Sequence, residues 1–346
     1  MTRNYDSLQV GRGVAALLVL LSHVALLSVP RSNWNHLGLA NVVFDFGHIG
    51  VCFFFVLSGF IMALVHGSDV GRPERFVRFC RNRFFRIYPI YWLTLALGLA
   101  LNLFNSTSNM ISSLVLISRN NSHDTLLFSA WTLYHEVSFY IVFALLILSR
   151  RYGGILATLW VGCILSGMAG YKILPLYLSS SINLLFGMGV IAQRVMLRDS
   201  AWLVWPTFIL SIVGFVVVSF QYALIDILPL AIRNLCYGLA AMFLIISVTK
   251  IEKLHSLRAS YYAITLGNAS YSLYLTNVLM IIVIEKLYIE INATLLGVWP
   301  SIVVFVLCTG FGLAFHNYVE QPLTRQLRGK RRLALNAAPR VHDRTL

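Results

Sequence analysis

His23 stands eleven residues past Arg12 in the segment RGVAALLVLLSH, an imidazole set in an apolar run that begins at a guanidinium. At a helical rise of 1.5 Å per residue, this places the ring roughly 16 Å from the arginine, near the middle of a hydrocarbon core about 30 Å thick. Glu136, in WTLYHEVSFY, lies nine residues beyond Leu127. Entering from the opposite side, it reaches a depth of roughly 14 Å by the same rise. A histidine and a carboxylate at one depth suit general-base catalysis: the imidazole takes a proton from a hydroxyl while the carboxylate orients the ring. The same residues also fit a structural reading, in which His23 bonds a neighbouring helix and Glu136 pairs with an arginine to fix packing.

Thr132, Glu136 and Tyr140 recur every fourth residue. They form a polar stripe that must face protein or water, because lipid satisfies none of their polar groups. His135 points away from that stripe and reads as interfacial or structural. A second concentration of chemistry is Arg72, Arg75, Arg78, Arg81, Arg83 and Arg86, which open after Gly71 with Pro73 suited to a first helical turn. The outer members read as anchors of membrane orientation and as contacts for anionic lipid. Arg83 and Arg86, three apart in RFFRIYP, abut an apolar span. Two guanidinium forks there suit the phosphates of a cytoplasmic donor such as a coenzyme A thioester, which does not cross a bilayer.

The elements that must position these groups are membrane spans. Of 346 residues, 58% are apolar and only 12% charged. The fold class expected is all-α: a polytopic integral membrane protein with about ten transmembrane helices. The spans fall near Gly13 to Val29, Gly47 to His66, Tyr88 to Phe104, Leu127 to Leu148 and Gly153 to Gly170, then Leu178 to Ala192, Ala201 to Phe220, Pro229 to Val248, Ala263 to Ile284 and Gly297 to Phe315. With both termini cytoplasmic, 22 of the 27 Lys and Arg lie inside, leaving Arg31, Arg119, Lys172, Arg233 and Lys286 outside. The membrane domain is expected over 1–328, with a basic, disordered cytoplasmic tail over 329–346. The first span is expected to be kept as a helix and not cleaved as a signal peptide.

The net charge of +14 raises nucleic acid as a partner, but the basic residues sit between apolar runs and not on one polar domain, which excludes it. Five cysteines scattered singly, without a C-x-x-C pair, support neither a disulfide framework nor a metal site. Ser58 and Gly59 in FFFVLSGF permit close approach of helices, and GNASYSLYLTN is dense in Tyr and Ser. Tyr88, Tyr91 and Trp92 read as an interfacial belt, and the sequons at Asn105 and Asn120 fall on the outer side.

Taken in order, these motifs resemble the membrane acyltransferase family 3, and within it the branch that O-acetylates bacterial exopolysaccharides. The resemblance rests on Arg12 with His23, Gly47 through Phe60, Arg83 and Arg86 followed by Ile87, Tyr88 and Pro89, Trp131 through Tyr140, Ser270 to Thr276, and Glu320 with Pro322. It implies a multi-pass enzyme of the bacterial plasma (inner) membrane, with acyl-CoA, acetyl-CoA foremost, as co-substrate. The acceptor it implies is a hydroxyl of an envelope glycan or of a lipid-linked oligosaccharide, with polysaccharide-assembly proteins as possible partners beside membrane lipid. By resemblance His23 is the base or a transient acyl carrier, Glu136 its partner, Arg12 structural or donor-contacting, and Arg83 with Arg86 the donor clamp. Trp131, Tyr140 and Tyr271 would then border the substrate. One departure is Asn277, where the family's motif often ends in His, which removes any catalytic histidine at that position. Two other functions fit the composition: a flippase for a lipid-linked glycan, which would show paired broken helices, and acyl transfer to a small secondary metabolite.

Overall fold

The computed structural model describes residues 5–28, 38–104, 110–117, 125–171, 173–197, 202, 204–224, 227–256, 258–290 and 298–327. Asn105, Asn120, Arg31, Arg119, Lys172 and the tail 329–346 lie outside them. Among the described residues there is no strand, and all five cysteines are free. Twelve α-helices follow in order: α1 (Asp6–Ser28), α2 (Gly38–His66), α3 (Phe76–Ala100), α4 (Met110–Val115), α5 (Trp131–Leu148), α6 (Arg150–Met168), α7 (Leu184–Leu197), α8 (Val204–Leu224), α9 (Leu230–His255), α10 (Tyr261–Asn268), α11 (Ser270–Glu290) and α12 (Val298–Phe315). Seven are long and apolar enough to cross a membrane: α1, α2, α5, α8, α9, α11 and α12.

Three of the expected spans fall outside that seven. Helix α3 begins twelve residues before the apolar run and carries Arg78, Arg81, Arg83 and Arg86 in its first turns. Helix α6 opens on Arg150 and Arg151, and α7 is only 14 residues long. The expected ninth span is two helices, broken at Ala269 between α10 and α11. Asn268 and Ser270, on either side of the break, line a cavity. Irregular backbone at membrane depth is tolerated where it faces such a space and not lipid.

Helix α1 packs against α2, α9, α10, α11 and α12, while α2 packs against α7, α8 and α9. No hydrophobic force drives helices together in lipid, so close packing must do so. At the crossing of α2 and α7, a Cβ on Gly59 would lie 2.0 Å from the Phe186 carbonyl oxygen, and one on Gly189 would lie 2.0 Å from that of Val56. Phe139 and Phe186 stack beside this crossing at 4.2 Å. Outward, Ile209, Val213, Val216 and Phe220 of α8 are exposed at helical spacing, as a lipid-facing stripe requires.

Two anchors are polar. The first amides of α1 have no partner within their helix. Here the Glu252 carboxylate of α9 accepts from Asp6 N at 2.9 Å and Ser7 N at 2.8 Å, and is itself buried. The aromatic belt expected at 88–92 does different work. Tyr88 Oη, Tyr91 Oη and Trp92 Nε1 donate to the carbonyls of Val115, Ser113 and Leu114 at 2.9, 2.7 and 2.9 Å. Those are the last carbonyls of the six-residue α4, which ends at Leu116 with φ 55°. One face of α3 thus supplies donors that α4 cannot find in itself, and Tyr91 is fully buried.

Gly59→Ala is expected to destabilise the fold by about 1–3 kcal/mol through overpacking at the α2–α7 crossing, measured as a fall in the thermal unfolding midpoint in detergent. Glu252→Ala is expected to cost about 1–2 kcal/mol by uncapping α1. Hydrogen exchange at residues 6–9 should rise selectively.

Candidate active site

Between α1, α2, α3, α5 and the α10–α11 break lies a chamber of about 1270 Å³. Six arginines line it, Arg12, Arg75, Arg78, Arg81, Arg83 and Arg86, against three carboxylates, Asp69, Glu136 and Glu320. The wall is therefore net positive, and low-dielectric surroundings strengthen its pull on anions. The stripe read from the sequence is present: Thr132, Glu136 and Tyr140 all face the chamber. The Tyr140 hydroxyl donates to Glu136 Oε1 one turn away.

Both clamp arginines face the chamber as well, each held by a partner. Arg83 NH2 donates to His66 Nε2 at 2.9 Å, and His66 Nδ1 lies 2.9 Å from Asp69 Oδ2. A guanidinium accepts no hydrogen bond, so Nε2 must be the bare nitrogen and Nδ1 must carry the proton toward Asp69. The Arg83 guanidinium lies 5.7 Å over Phe79 and 5.3 Å over Tyr140, within cation–π range. Its Nε is enclosed and has no partner. Arg86 approaches Glu320 Oε1 at 3.5 Å and lies 5.3 Å over the ring of Tyr271, whose hydroxyl donates to the Ile87 carbonyl at 2.8 Å. Arg12 makes no hydrogen bond or ion pair among the described residues, yet lies within electrostatic range of Arg86, Glu136 and Glu320.

Glu320 is a site residue that the sequence pattern marked without a role. It ends a π-helical turn, His316–Glu320. Its Oε2 accepts from Ser272 Oγ and from His316 Nδ1, both at 2.7 Å, and it is almost wholly buried. Gln321 Nε2 lies 3.1 Å from His316 Nε2 and donates to it. The extra residue of a π turn is a recurrent mark of functional sites. The His66–Asp69 pair was also missed; its only signal was a histidine and an aspartate three apart at the end of an apolar run.

The structure does not form the expected pair of His23 and Glu136. Glu136 lines the chamber and is bonded by Tyr140, whereas His23 is outside the lining, with Phe128 edge-on at 5.9 Å and the Asn277 side chain within hydrogen-bonding reach. Equal depth along two helices says nothing of which way each side chain turns. The Tyr274 hydroxyl donates to the Ser129 carbonyl at 2.6 Å and meets Thr132 Oγ1 at 2.7 Å. Thr132 and Tyr274 both line the chamber, and Asn277 sits one turn further along α11. Trp131 is likewise outside the lining, edge-on to His135 at 5.7 Å. His135 is buried and bonds Asn183 Oδ1 at 2.9 Å, a structural role.

A helical protein with seven long apolar helices around a cationic, polar-walled chamber is the setting of a membrane enzyme. Residues 5–316 match the family model described as "Acyltransferase domain", and the chain belongs to that family. It is 30% identical over 304 residues to the exopolysaccharide production protein ExoZ of Rhizobium meliloti (strain 1021), covering 83% of this chain and 93% of that relative. No solved structure matches.

Glu320→Leu removes the carboxylate on which Ser272, His316 and Arg86 converge. It is expected to cost about 2–4 kcal/mol, because buried donors and a cation lose their acceptor. Thermal unfolding in detergent measures the loss, and a midpoint within 1 °C of the parent would contradict it.

Proposed function

We propose that this protein is a membrane-embedded O-acyltransferase that moves an acyl group, acetyl foremost, from cytoplasmic acyl-CoA to a hydroxyl of an exopolysaccharide or its lipid-linked precursor. The observation that carries the reading is the charge of the chamber: six arginines facing three carboxylates around one cavity. Coenzyme A brings several phosphates at one end and a thioester at the end of a long arm, and such a cavity complements both. The name of the similar Rhizobium protein supports a polysaccharide acceptor. Ten spans follow when α3, α6 and α7 join the seven long apolar helices. The excess of basic residues in alternate connections supports cytoplasmic termini and an arginine loop on the donor's side, in a bacterial inner membrane.

Arg83 and Arg86 grip the donor's phosphates with the N–H groups left over from His66 and Glu320, and Arg12 contacts the donor deeper in the chamber. Glu136, Tyr140 and Tyr271 form the polar wall along which the pantetheine arm lies, and Trp131 holds the neighbouring helix turn. The thioester reaches His23 when the bonds among Tyr274, Thr132 and Ser129 part. His23 then takes the proton of the acceptor hydroxyl as its oxygen attacks the thioester carbon. A C–O bond forms, the C–S bond breaks, and the proton passes from His23 to the departing thiolate, giving ester and free coenzyme A. Orientation and base catalysis supply the acceleration, the latter worth about a hundredfold to ten-thousandfold.

His23→Ala is expected to lower transfer from radiolabelled acetyl-CoA to polysaccharide by about a hundredfold or more, and unchanged labelling would refute its role. Arg83→Ala and Arg86→Ala should each raise the donor KM by about tenfold, the equivalent of one charge-assisted hydrogen bond. The effect should shrink at high salt, as screening requires. Loss of acetyl groups from polysaccharide secreted by cells lacking the protein tests the acceptor class.

A further inference from the structure

Among the described residues, three polar atoms at His23 and Asn277 are enclosed without a hydrogen-bond partner: Nδ1 of the imidazole, and both Oδ1 and Nδ2 of the amide. Asn277 is 1% exposed, and its side chain is the polar group that acts on the imidazole. A buried amide left unpaired is costly, and no packing need explains an amide there, since a leucine fills the same space. The His23 residue as a whole is half-buried. Nearby Ser22 gives its hydroxyl to the Val19 carbonyl, and Glu136 is occupied by Tyr140 on the chamber wall, so neither orients the ring.

We infer that Asn277 is the positioning partner of His23: its Oδ1 takes the Nδ1–H of the imidazole and so leaves the lone pair on Nε2, directed at the acceptor hydroxyl. A base that bonds a third group through its far nitrogen is the general arrangement by which an imidazole is kept in one tautomer, and an amide oxygen serves as that group in some enzymes. Asn277, where a histidine would compete for the same role, is therefore a functional residue. The inference rests on the reading that His23 takes the acceptor's proton.

The test is 15N NMR of histidine-labelled protein in lipid nanodiscs near neutral pH, with the His23 signals assigned by their loss in His23→Gln. The parent should be protonated at Nδ1, Asn277→Asp should keep that form, and Asn277→Leu should lose it. With acetyl-CoA as donor and O-deacetylated polysaccharide as acceptor, Asn277→Leu should lower kcat by about tenfold to a hundredfold and leave the donor KM unchanged. An Nε2–H tautomer in the parent, an unchanged Nδ1–H tautomer in Asn277→Leu, or an unaltered kcat in that variant overturns the inference. If Asn277→Leu does not fold, the parent and Asn277→Asp spectra decide. Full activity in His23→Gln would instead defeat the base reading, while the tautomer measurement still judges Asn277.

Discussion

A carboxylate such as Glu320, taken almost wholly out of water, persists only where hydrogen-bond donors meet it and a cation stands close. Here the donors come from Ser272 on α11 and His316 on the π turn, and the cation is Arg86 on α3. Three separate elements are thereby tied to one point on the chamber wall. The tie also solves the opposite problem, since Arg86 at the edge of a membrane span needs a counter-charge of its own. Charge remains: among the described residues Arg12 has no ion-pair partner, and Arg83 is held by the imidazole of His66 and two aromatic faces, not by a carboxylate. An anion entering the chamber meets cations whose positions are fixed but whose charge is not cancelled.

The same economy positions α1. Its exposed amides are met by Glu252 from α9, and Asp6 Oδ2 in turn accepts from Ala259 N at 3.3 Å. Close approach of α10 follows, where a Cβ on Gly267 would lie 2.0 Å from the Gln9 carbonyl oxygen. A helix fixed at its start by ion–dipole contact and along its side by backbone contact cannot easily rotate. Rotation is what would matter, because Arg12 faces the chamber while His23 faces Asn277 and Phe128. One rigid helix thus fixes the bearing of both residues.

What the sequence revealed follows from what periodicity measures. Thr132, Glu136 and Tyr140 were legible as one face because a spacing of four fixes azimuth within a single helix. Arg83 and Arg86 were legible for the same reason, and Ser58 with Gly59 marked a true close crossing. The pairing of His23 with Glu136 failed because it combined two helices, and depth carries no information about the angle between them. The partners of Tyr88, Tyr91 and Trp92 were not legible, because they are the carbonyls of α4, a six-residue helix without the length to announce itself in hydropathy. The break at Ala269 and the π turn at His316–Glu320 are backbone events, stabilised by the cavity and the carboxylate they face, and both depend on contacts distant in the chain.

The Tyr274 hydroxyl bears on a difficulty that the proposed transfer from a thioester must meet, which is that water competes for the acyl group. Tyr274 spends its hydroxyl on the Ser129 carbonyl and Thr132, so this part of the chamber wall is tied by bonds internal to the protein. Breaking two neutral hydrogen bonds costs on the order of 1–3 kcal/mol. That is small enough to be met by the binding energy of a donor held as proposed above. In the proposed reaction the thioester must part these bonds to reach His23, so the grip of Arg83 and Arg86 on the donor would also be what admits it.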